Sequence, residues 1–459
     1  MVRSLLSGFQ SYKKDLKETL HLSGPVIVAQ LGLVLMGVID NIMIGNIENI
    51  GHELLSAASL GNSIYFIVGV LGIGITFAIS PLVAEADAAG EVSQCGLYLR
   101  QGVFASLLSG ILLCLIMLGL TYLLPFMDQP EQDVRLGTPY LHIINVSLIP
   151  MMLFLAYKQF SDGLSFTKAA MYVTLFGLIF NVGINWLLIY GNLGFPRLEL
   201  IGAGIGTLSS RIFMLLLIAI YINYTPRFKK YKPKLNFREW RGDIMRKIFE
   251  IGLPSGFQYF FEVGAFGGAV IMIGWIGIDE RSAHQIVINM AGTTYMLVSG
   301  LAAGSAIRVG NALGRKDLPG MRKAGFAGIY LSTFIMFLAA IAFISGKNWL
   351  PSLYVDDVDV LMISAQLMLI GGLFQIFDGV QAVGLSVLRG MQDVRVPTII
   401  AFISYWIIAL PVGYALAFNF GMGVDGIWYG FVVGLFVAAV GLVFRFHQLT
   451  RSAQLAKLS

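Results

Sequence analysis

Long uncharged runs dominate the pattern of hydrophobic and polar positions along the chain. Twelve runs are long enough to cross a bilayer as helices, since a span needs about 20 predominantly apolar residues. They are continuous, whereas the strands of a membrane β-barrel alternate apolar and polar positions. The pattern predicts an all-α polytopic membrane protein with spans near 24–44, 56–83, 99–124, 138–158, 170–191, 200–224, 249–275, 283–306, 322–345, 361–388, 396–418 and 424–446.

Composition agrees with this prediction and excludes several classes of protein. Only 12% of the 459 residues are charged, against about 25% in a soluble domain. Two cysteines and five scattered histidines offer neither a disulfide framework nor a metal cluster. No phosphate-binding loop with its lysine is present, so an ATP-driven pump is not expected. Because no nucleophile–base pair occurs either, we expect neither an enzyme nor a bound cofactor.

The positive charges fall on one side of the predicted spans. Of the 31 lysines and arginines, only Arg135, Arg197, Arg281 and Lys347 lie in the opposite loops, and Arg211 lies within a span. Basic residues are retained on the cytoplasmic side of membranes, so we expect both termini in the cytoplasm. The basic run 225–248 is then a cytoplasmic linker that faces anionic lipid of the bilayer, and nucleic acid is not an expected partner.

A weak internal repeat divides the chain. "SAAS" at 56–59 resembles "SAHQ" at 282–285, and "AAGEVSQCG" at 88–96 resembles "ALGRKDLPG" at 312–320, both offset by about half the chain. Six spans in each half give both halves one orientation, which predicts a pseudo-two-fold axis along the membrane normal with substrate between the halves. The predicted domains are an N-terminal lobe, a linker and a C-terminal lobe, at residues 1–224, 225–248 and 249–459.

Asp40 stands within the first uncharged run, where an ionised aspartate costs about 2.5–3.5 kcal/mol. Helix rise places it roughly 24 Å from the inner face of a core about 30 Å thick. Asn181 and Asn185 share one face of the fifth span, and Thr207 lies at nearly the same level of the sixth. These oxygens predict a cage for a hard cation or a proton, or else ordinary polar contacts between helices. Arg211 is the expected internal partner, either in a structural ion pair or at helix-end carbonyls.

Two further acids, Glu262 and Asp378, lie deep within the seventh and tenth spans. Each shares its helix face with one glutamine and one phenylalanine, which are Gln258 with Phe266 and Gln381 with Phe374. A carboxylate between aromatic and amide side chains suits flat organic cations. The sequence therefore predicts a second polar site, and these side chains are its candidate substrate-binding residues.

Several runs resemble one known family. "GPVIVAQLGLVLMGVIDNIMIG", "FNVGINWLLIYG", "GLPSGFQYFFEVGAF" and "LFQIFDGVQAVGLSVLRGMQD" resemble segments of MATE (multidrug and toxic compound extrusion) transporters, of the NorM-like bacterial branch. The resemblance extends over nearly the whole chain. It implies a drug/cation antiporter in the bacterial inner membrane, with two six-helix lobes around a cleft, and we expect a monomer.

The resemblance also implies roles for single residues. Asp40 resembles the first-span acid that takes part in proton or cation coupling and in drug binding, with Asn181, Asn185 and Thr207 as its polar neighbours. Some relatives have an aspartate at the position of Asn185, so a single acid here favours a proton over a sodium ion.

In the C-terminal half, Glu262 and Asp378 match acids that the family associates with sodium, and Tyr295 resembles its cation–π tyrosine. Gln285, Asp356 and Asp357 fall where relatives contact substrate near the outer mouth.

The expected function is secondary active efflux of amphipathic organic cations, such as drugs or dyes, in exchange for sodium ions or protons. The alternative is a flippase for lipid-linked oligosaccharides, or a polysaccharide exporter of related architecture. Such a flippase would line its cleft with basic residues to hold pyrophosphate, whereas the deep charges here are mainly acidic. A channel is a further alternative that the duplicated halves disfavour.

Overall fold

The structure is a computed structural model that describes residues 2–48, 50–126, 130–236 and 239–451, with side chains from residue 13 onward. These residues form α-helices joined by short turns. The helices are α1 Val2–Gly45, α2 Gly51–Thr76, α3 Ile79–Ala88, α4 Val92–Leu123, α5 Glu131–Val146, α6 Leu148–Gly163, α7 Thr167–Tyr190, α8 Glu199–Tyr224, α9 Gly242–Gly274, α10 Ile278–Gly314, α11 Leu318–Gly346, α12 Val358–Gly390, α13 Arg395–Phe402, α14 Leu410–Tyr414 and α15 Gly423–Leu449.

Twelve helical stretches within the described residues are long and apolar enough to cross a membrane, and they coincide with the twelve predicted spans. Helices are expected here because hydrocarbon leaves every backbone N–H and C=O to be satisfied within its own segment. Three spans are interrupted. α2 and α3 share the second, α5 and α6 share the fourth, and the eleventh combines α13 and α14 with two π-helical segments. The all-α polytopic prediction is confirmed.

The chain forms two compact units. One is Val28–Gly256, and the other combines the chain up to Ile27 with the chain from Phe257 onward. α1 and α9 therefore each change units within their length, two residues after Pro25 and Pro254 respectively. The start of α1 therefore packs with the C-terminal half of the chain, and the start of α9 packs with the N-terminal half. The lobes predicted at 1–224 and 249–459 stay a prediction.

The unit Val28–Gly256 includes the basic linker, which is more than a charged connection. Its 3-10 helix Pro226–Tyr231 buries Phe228 and Tyr231. The Phe228 ring lies edge-on to Phe166 with centroids 5.4 Å apart. The Tyr231 hydroxyl donates to Asp87 at 2.7 Å, and burial raises the pKa of Tyr231. Burial of these two aromatic side chains therefore packs the linker against this unit. The basic residues of the linker gave no indication of this packing.

The other unit is built on α10, α11, α12 and α15 and has an aromatic core. Phe374, Tyr405, Trp428 and Phe431 are buried there. The start of α1 joins this unit through Arg308, whose guanidinium donates to Asp15 at 2.5 Å and to Glu18 at 2.8 Å. These ion pairs hold the start of α1 against α10.

In the unit Val28–Gly256, α2 and the start of α9 pack backbone against backbone at Gly74 and Gly256. A Cβ on Gly74 would overlap the backbone of Gly256, and a Cβ on Gly256 would lie 2.7 Å from the carbonyl oxygen of Leu71. Close approach of this kind needs residues without side chains. Both glycines therefore fix the spacing of the two helices.

Gly74→Ala should destabilise the protein, although alanine is the better helix former by up to about 1 kcal/mol. Overpacking a close contact costs about 1–3 kcal/mol, so the midpoint of thermal unfolding in detergent should fall. Gly119→Ala is the matched control, because a Cβ at Gly119 on α4 meets nothing within 4 Å and should leave the midpoint unchanged or higher. Equal midpoints for the two variants would contradict this packing.

Candidate functional site

Asp40 on α1 is the centre of a buried polar cluster in the unit Val28–Gly256. Its side chain is 7% exposed. Asn185 on α7 donates to Oδ1 of Asp40 at 2.5 Å, and the hydroxyl of Thr207 on α8 donates to Oδ2 at 2.8 Å. The structure thus brings together the residues that the sequence placed at one level. It satisfies both carboxylate oxygens with donors from two other helices.

The amide orientation distinguishes this cluster from a ring of oxygens. Asn185 turns Nδ2 toward Asp40, and the same nitrogen lies 3.5 Å from Oδ1 of Asn181. Oδ1 of Asn185 and Nδ2 of Asn181 are buried without a hydrogen-bond partner among the described residues. As folded, the cluster stabilises a carboxylate rather than surrounding a cation, and it keeps one acceptor and one donor unused.

A glycine makes room for this arrangement. A Cβ on Gly206 of α8 would overlap Oδ1 of Asn185, and a Cβ on Gly202 would lie 2.6 Å from the carbonyl oxygen of Leu188 on α7. The run "IGAGIGT" at 201–207 therefore lets α7 and α8 approach closely. That approach brings Thr207 and Asn185 onto the same carboxylate.

Arg211 has partners other than the predicted ion pair. Its guanidinium donates to the Tyr65 hydroxyl at 2.6 Å and to Oγ of Ser147 at 2.5 Å, and it lies 4.8 Å from the centroid of the Tyr65 ring. Among the described residues no carboxylate lies within ion-pair distance of it, although it interacts electrostatically with Asp40 at longer range. The sequence did not identify Tyr65 or Ser147, because their contact with Arg211 depends on how three helices pack.

Glu262 on α9 and Asp378 on α12 form the second cluster, in the other unit. They are 8% and 4% exposed and lie close enough to interact electrostatically. Tyr295 of α10 and Tyr405 of the eleventh span lie close enough to interact with both. No Lys, Arg or His forms an ion pair with either acid in the part of the chain that the structure describes, although Arg389 interacts electrostatically with Glu262 at longer range. Tyr405, which sequence analysis missed, contributes a buried hydroxyl without a hydrogen-bond partner there.

Amide side chains on the two acidic helices have different environments. Gln381 lies beside Glu262, yet neither of its amide atoms reaches a partner with hydrogen-bond geometry among the described residues. Gln258 accepts from Arg389 at 3.5 Å and donates to the carbonyl of Val394 at 3.4 Å. The substrate contact predicted for Gln258 therefore competes with contacts inside the protein, whereas Gln381 keeps its hydrogen-bonding capacity.

The two phenylalanines predicted to line a pocket lie in the aromatic core. Phe266 stacks on Phe431 with centroids 4.8 Å apart, and Phe374 lies edge-on to Trp428 at 5.4 Å. Phe374 is only 2% exposed. Both support the helices that carry the acids, and their contact with substrate stays a prediction.

The residues predicted near the outer mouth lie apart from both clusters along the chain. Gln285 is exposed on α10 and donates to Asn289 at 3.1 Å. Asp357 caps α12, accepting from the backbone N–H groups of Asp359 and Val360 at 3.0 and 3.1 Å. Asp356 is exposed beside it. A structural role is thus visible for Asp357, and the substrate contacts of all three stay predictions.

Thr207→Val should destabilise the protein, because valine keeps the shape of threonine but cannot donate to Asp40. Loss of a hydrogen bond to a buried charged group should lower the free energy of unfolding by about 1–2 kcal/mol. Thr207→Ser keeps the donor and should lose less. Thr174→Val is the matched control, since that buried hydroxyl bonds a carbonyl of its own helix. Equal losses at the two threonines, measured by unfolding in detergent, would contradict the role of Thr207.

Comparison with known proteins identifies a family. The MatE family model matches twice, at residues 25–187 and 254–415, which agrees with the internal repeat. The chain is 33% identical over 453 residues to "Probable multidrug resistance protein NorM" of Rhodopseudomonas palustris, covering 98% of this chain and 95% of that protein. It is 30% identical to "Multidrug resistance protein NorM" of Aliivibrio fischeri, covering 96% of each.

A solved structure shares the fold. The crystal structure of the eukaryotic MATE transporter AtDTX14 superposes with a TM-score of 0.86 at 19% identity, covering 96% of this chain and 99% of that one. The predicted family and fold class are confirmed. The chain therefore belongs to the MatE family, as a multi-pass membrane transporter and not an enzyme.

Proposed function

We propose that the protein is a multidrug efflux antiporter that exports amphipathic organic cations while sodium ions or protons flow inward. As a MatE transporter it is driven by an ion gradient and needs no cofactor. Its relatives named multidrug resistance proteins support the substrate class. We further propose that it works as a monomer in the bacterial inner membrane, with both termini in the cytoplasm as the distribution of basic residues predicts.

The observation that carries this proposal is the set of three buried carboxylates that have no ion-pair partner within the described spans, unlike buried Asp162, which pairs with Lys158 at 2.7 Å. Asp40, Glu262 and Asp378 are each less than 10% exposed, and none forms an ion pair with a described basic side chain. Ionisable residues at membrane depth are costly and mark ion or substrate pathways. An unpaired carboxylate can take up a proton, a sodium ion or a cationic drug, which are the species that an antiporter must exchange.

We assign the coupling cation to Glu262 and Asp378. Two neighbouring carboxylates repel each other when both are ionised, and a sodium ion between them would relieve that repulsion. Hard cations prefer oxygen ligands, and the unpartnered amide of Gln381 and hydroxyl of Tyr405 could complete such a set. Sodium is our proposal for this pair, with Tyr295 as the cation–π contact for an organic cation.

We assign the protonation-linked step to Asp40. Asn185 and Thr207 point donors at its two oxygens, whereas a sodium ion is held by oxygen ligands, so binding sodium would require these side chains to reorient. A proton needs no such rearrangement, since the threonine hydroxyl can accept as well as donate. Protonation would remove the charge that attracts a drug, so the two would compete, as coupling requires.

Asp378→Asn should abolish sodium-driven export without loss of folding. The amide keeps the shape of the side chain but removes half of the charge that the acid pair offers to a cation. Asp359→Asn on the same helix is the matched control, because Asp359 is exposed at the first turn of α12 and should export at the wild-type rate. Sodium-coupled ethidium efflux by proteoliposomes with Asp378→Asn would refute the assignment.

Separate gradients should distinguish the two clusters. Proteoliposomes that carry the wild type are given either a sodium gradient or a proton gradient, and ethidium efflux is followed by fluorescence. Asp378→Asn should remove the response to sodium by at least about tenfold. Asp40→Asn should remove the response to protons by a similar factor. If both variants respond like the wild type to both gradients, the proposed ion assignment is wrong, and if the wild type moves no dye, so is the substrate class.

A further inference from the structure

A polar pocket lies at the ends of three helices, and none of its lining residues belongs to either acidic cluster. It has a volume of about 1040 Å³ and is lined by the start of α1, the end of α10 and the start of α11. All its lining residues belong to one compact unit, the one that combines the chain up to Ile27 with the chain from Phe257 onward. The proposed transport mechanism gives this pocket no role.

Cationic side chains outnumber acidic ones in the lining, five to three, and the acids are already engaged. Asp15 and Glu18 both accept from Arg308, whose side chain is only 11% exposed. Asp317 accepts from the backbone N–H of Gly320 as the cap of α11. The three acids therefore already interact with groups of the protein. Arg308 is held in place by its ion pairs with Asp15 and Glu18.

Three cations remain available to a ligand. Lys14, Lys17 and Arg315 are exposed at the pocket, and none has a hydrogen-bonding or ion-pair partner for its side chain among the described residues. Lys14 and Lys17 extend from α1, while Arg315 follows the last residue of α10. Cations from two helices thus converge on one volume whose lining has more positive than negative side chains.

The pocket lies beside the ends of two membrane-crossing helices. Lys14 and Lys17 lie on α1 before its uncharged run, which starts near residue 24, and Arg315 adjoins the end of the membrane-crossing stretch Ile278–Gly314. Long lysine and arginine side chains near helix ends reach the headgroup layer. The first span begins and the eighth span ends on the same side of the membrane, because the chain crosses eight times between these points. Basic pockets between helices at this depth suit phosphate-bearing headgroups, since phosphate oxygens accept from several cations at once.

We propose that this pocket binds a phosphate group, supplied in the membrane by the headgroup of an anionic phospholipid. The three cations hold the phosphate oxygens and any second negative charge of the headgroup. Arg308 positions α1 so that Lys14 and Lys17 face the pocket. The bound headgroup fastens the start of α1 to the end of α10 and the start of α11. It is independent of the transported substrate.

The test uses the full-length protein purified in neutral detergent and measures retained lipid by native mass spectrometry. Phosphatidylglycerol is compared with phosphatidylcholine, which has a phosphodiester but no net charge. Each surface cation near an anionic headgroup contributes about fivefold to its affinity. The triple variant Lys14→Gln/Lys17→Gln/Arg315→Gln should therefore bind phosphatidylglycerol at least about tenfold more weakly than the wild type.

The matched control removes the same charge from elsewhere in the same unit. Lys13, Lys316 and Arg395 are exposed and lie outside the lining, so the variant with all three changed to glutamine should bind like the wild type. Equal losses in both triple variants would mean general charge attraction and overturn the site. Wild-type binding by the pocket variant would overturn it as well.

A competition experiment with inorganic phosphate distinguishes a phospholipid headgroup from a free phosphate ion as the ligand. If phosphate displaces phosphatidylglycerol only at concentrations far above those of the lipid, the headgroup is the ligand. If phosphate binds tightly to the wild type without lipid and not to the pocket variant, the site is a phosphate site and the lipid assignment is wrong. Should the triple variant fail to fold, the single variant Arg315→Gln and its neighbour Lys316→Gln repeat the comparison, with at least about a threefold difference expected.

Discussion

Hydrocarbon provides no hydrogen-bond donor for a buried carboxylate, and the structure around each deep acid follows from that constraint. Asp40 takes its donors from α7 and α8, so these helices must approach each other and α1 closely. The glycine at position 206 makes the approach possible, because a side chain there would overlap Asn185. Helix spacing in this part of the protein is therefore set by the requirement to hold one charge.

Glu262 and Asp378 meet the same constraint differently. Instead of donors they have each other, the neighbouring tyrosines and an amide without a partner in the described chain. Two acids with so few hydrogen bonds are costly to keep ionised unless a cation joins them. The two clusters thus differ in kind, since two other helices supply donors to the single acid of the first, whereas the second holds two acids that repel each other. That difference is the physical basis for assigning them different steps of one exchange.

Sequence patterns predicted the spans and the membership of the first cluster, because apolar length and helix rise are one-dimensional quantities. The contacts of Asp40 with Asn185 and Thr207 confirm the estimate of a common depth. The partners of Arg211 could not be found this way, since they lie on other helices and depend on side-chain direction. Linker docking was missed for a similar reason, because Phe228 and Tyr231 stand between lysines and arginines that dominate the pattern.

The eleventh span shows why Tyr405 could not be placed from periodicity. Pro411 has no N–H to give to the preceding turn, and a π-helical segment, Ile403–Ala409, lies just before it. An inserted residue turns the helix face by about 100°, so positions before and after the segment do not follow one period of 3.6. Tyr405 lies inside this segment, 6.1 Å from Phe266 between ring centroids, with its hydroxyl buried near the acid pair. π-helical turns inside helices are frequent at functional sites. The proline was visible in the sequence, but the direction in which it would turn the tyrosine depended on how the widened helix packs against α9 and α15.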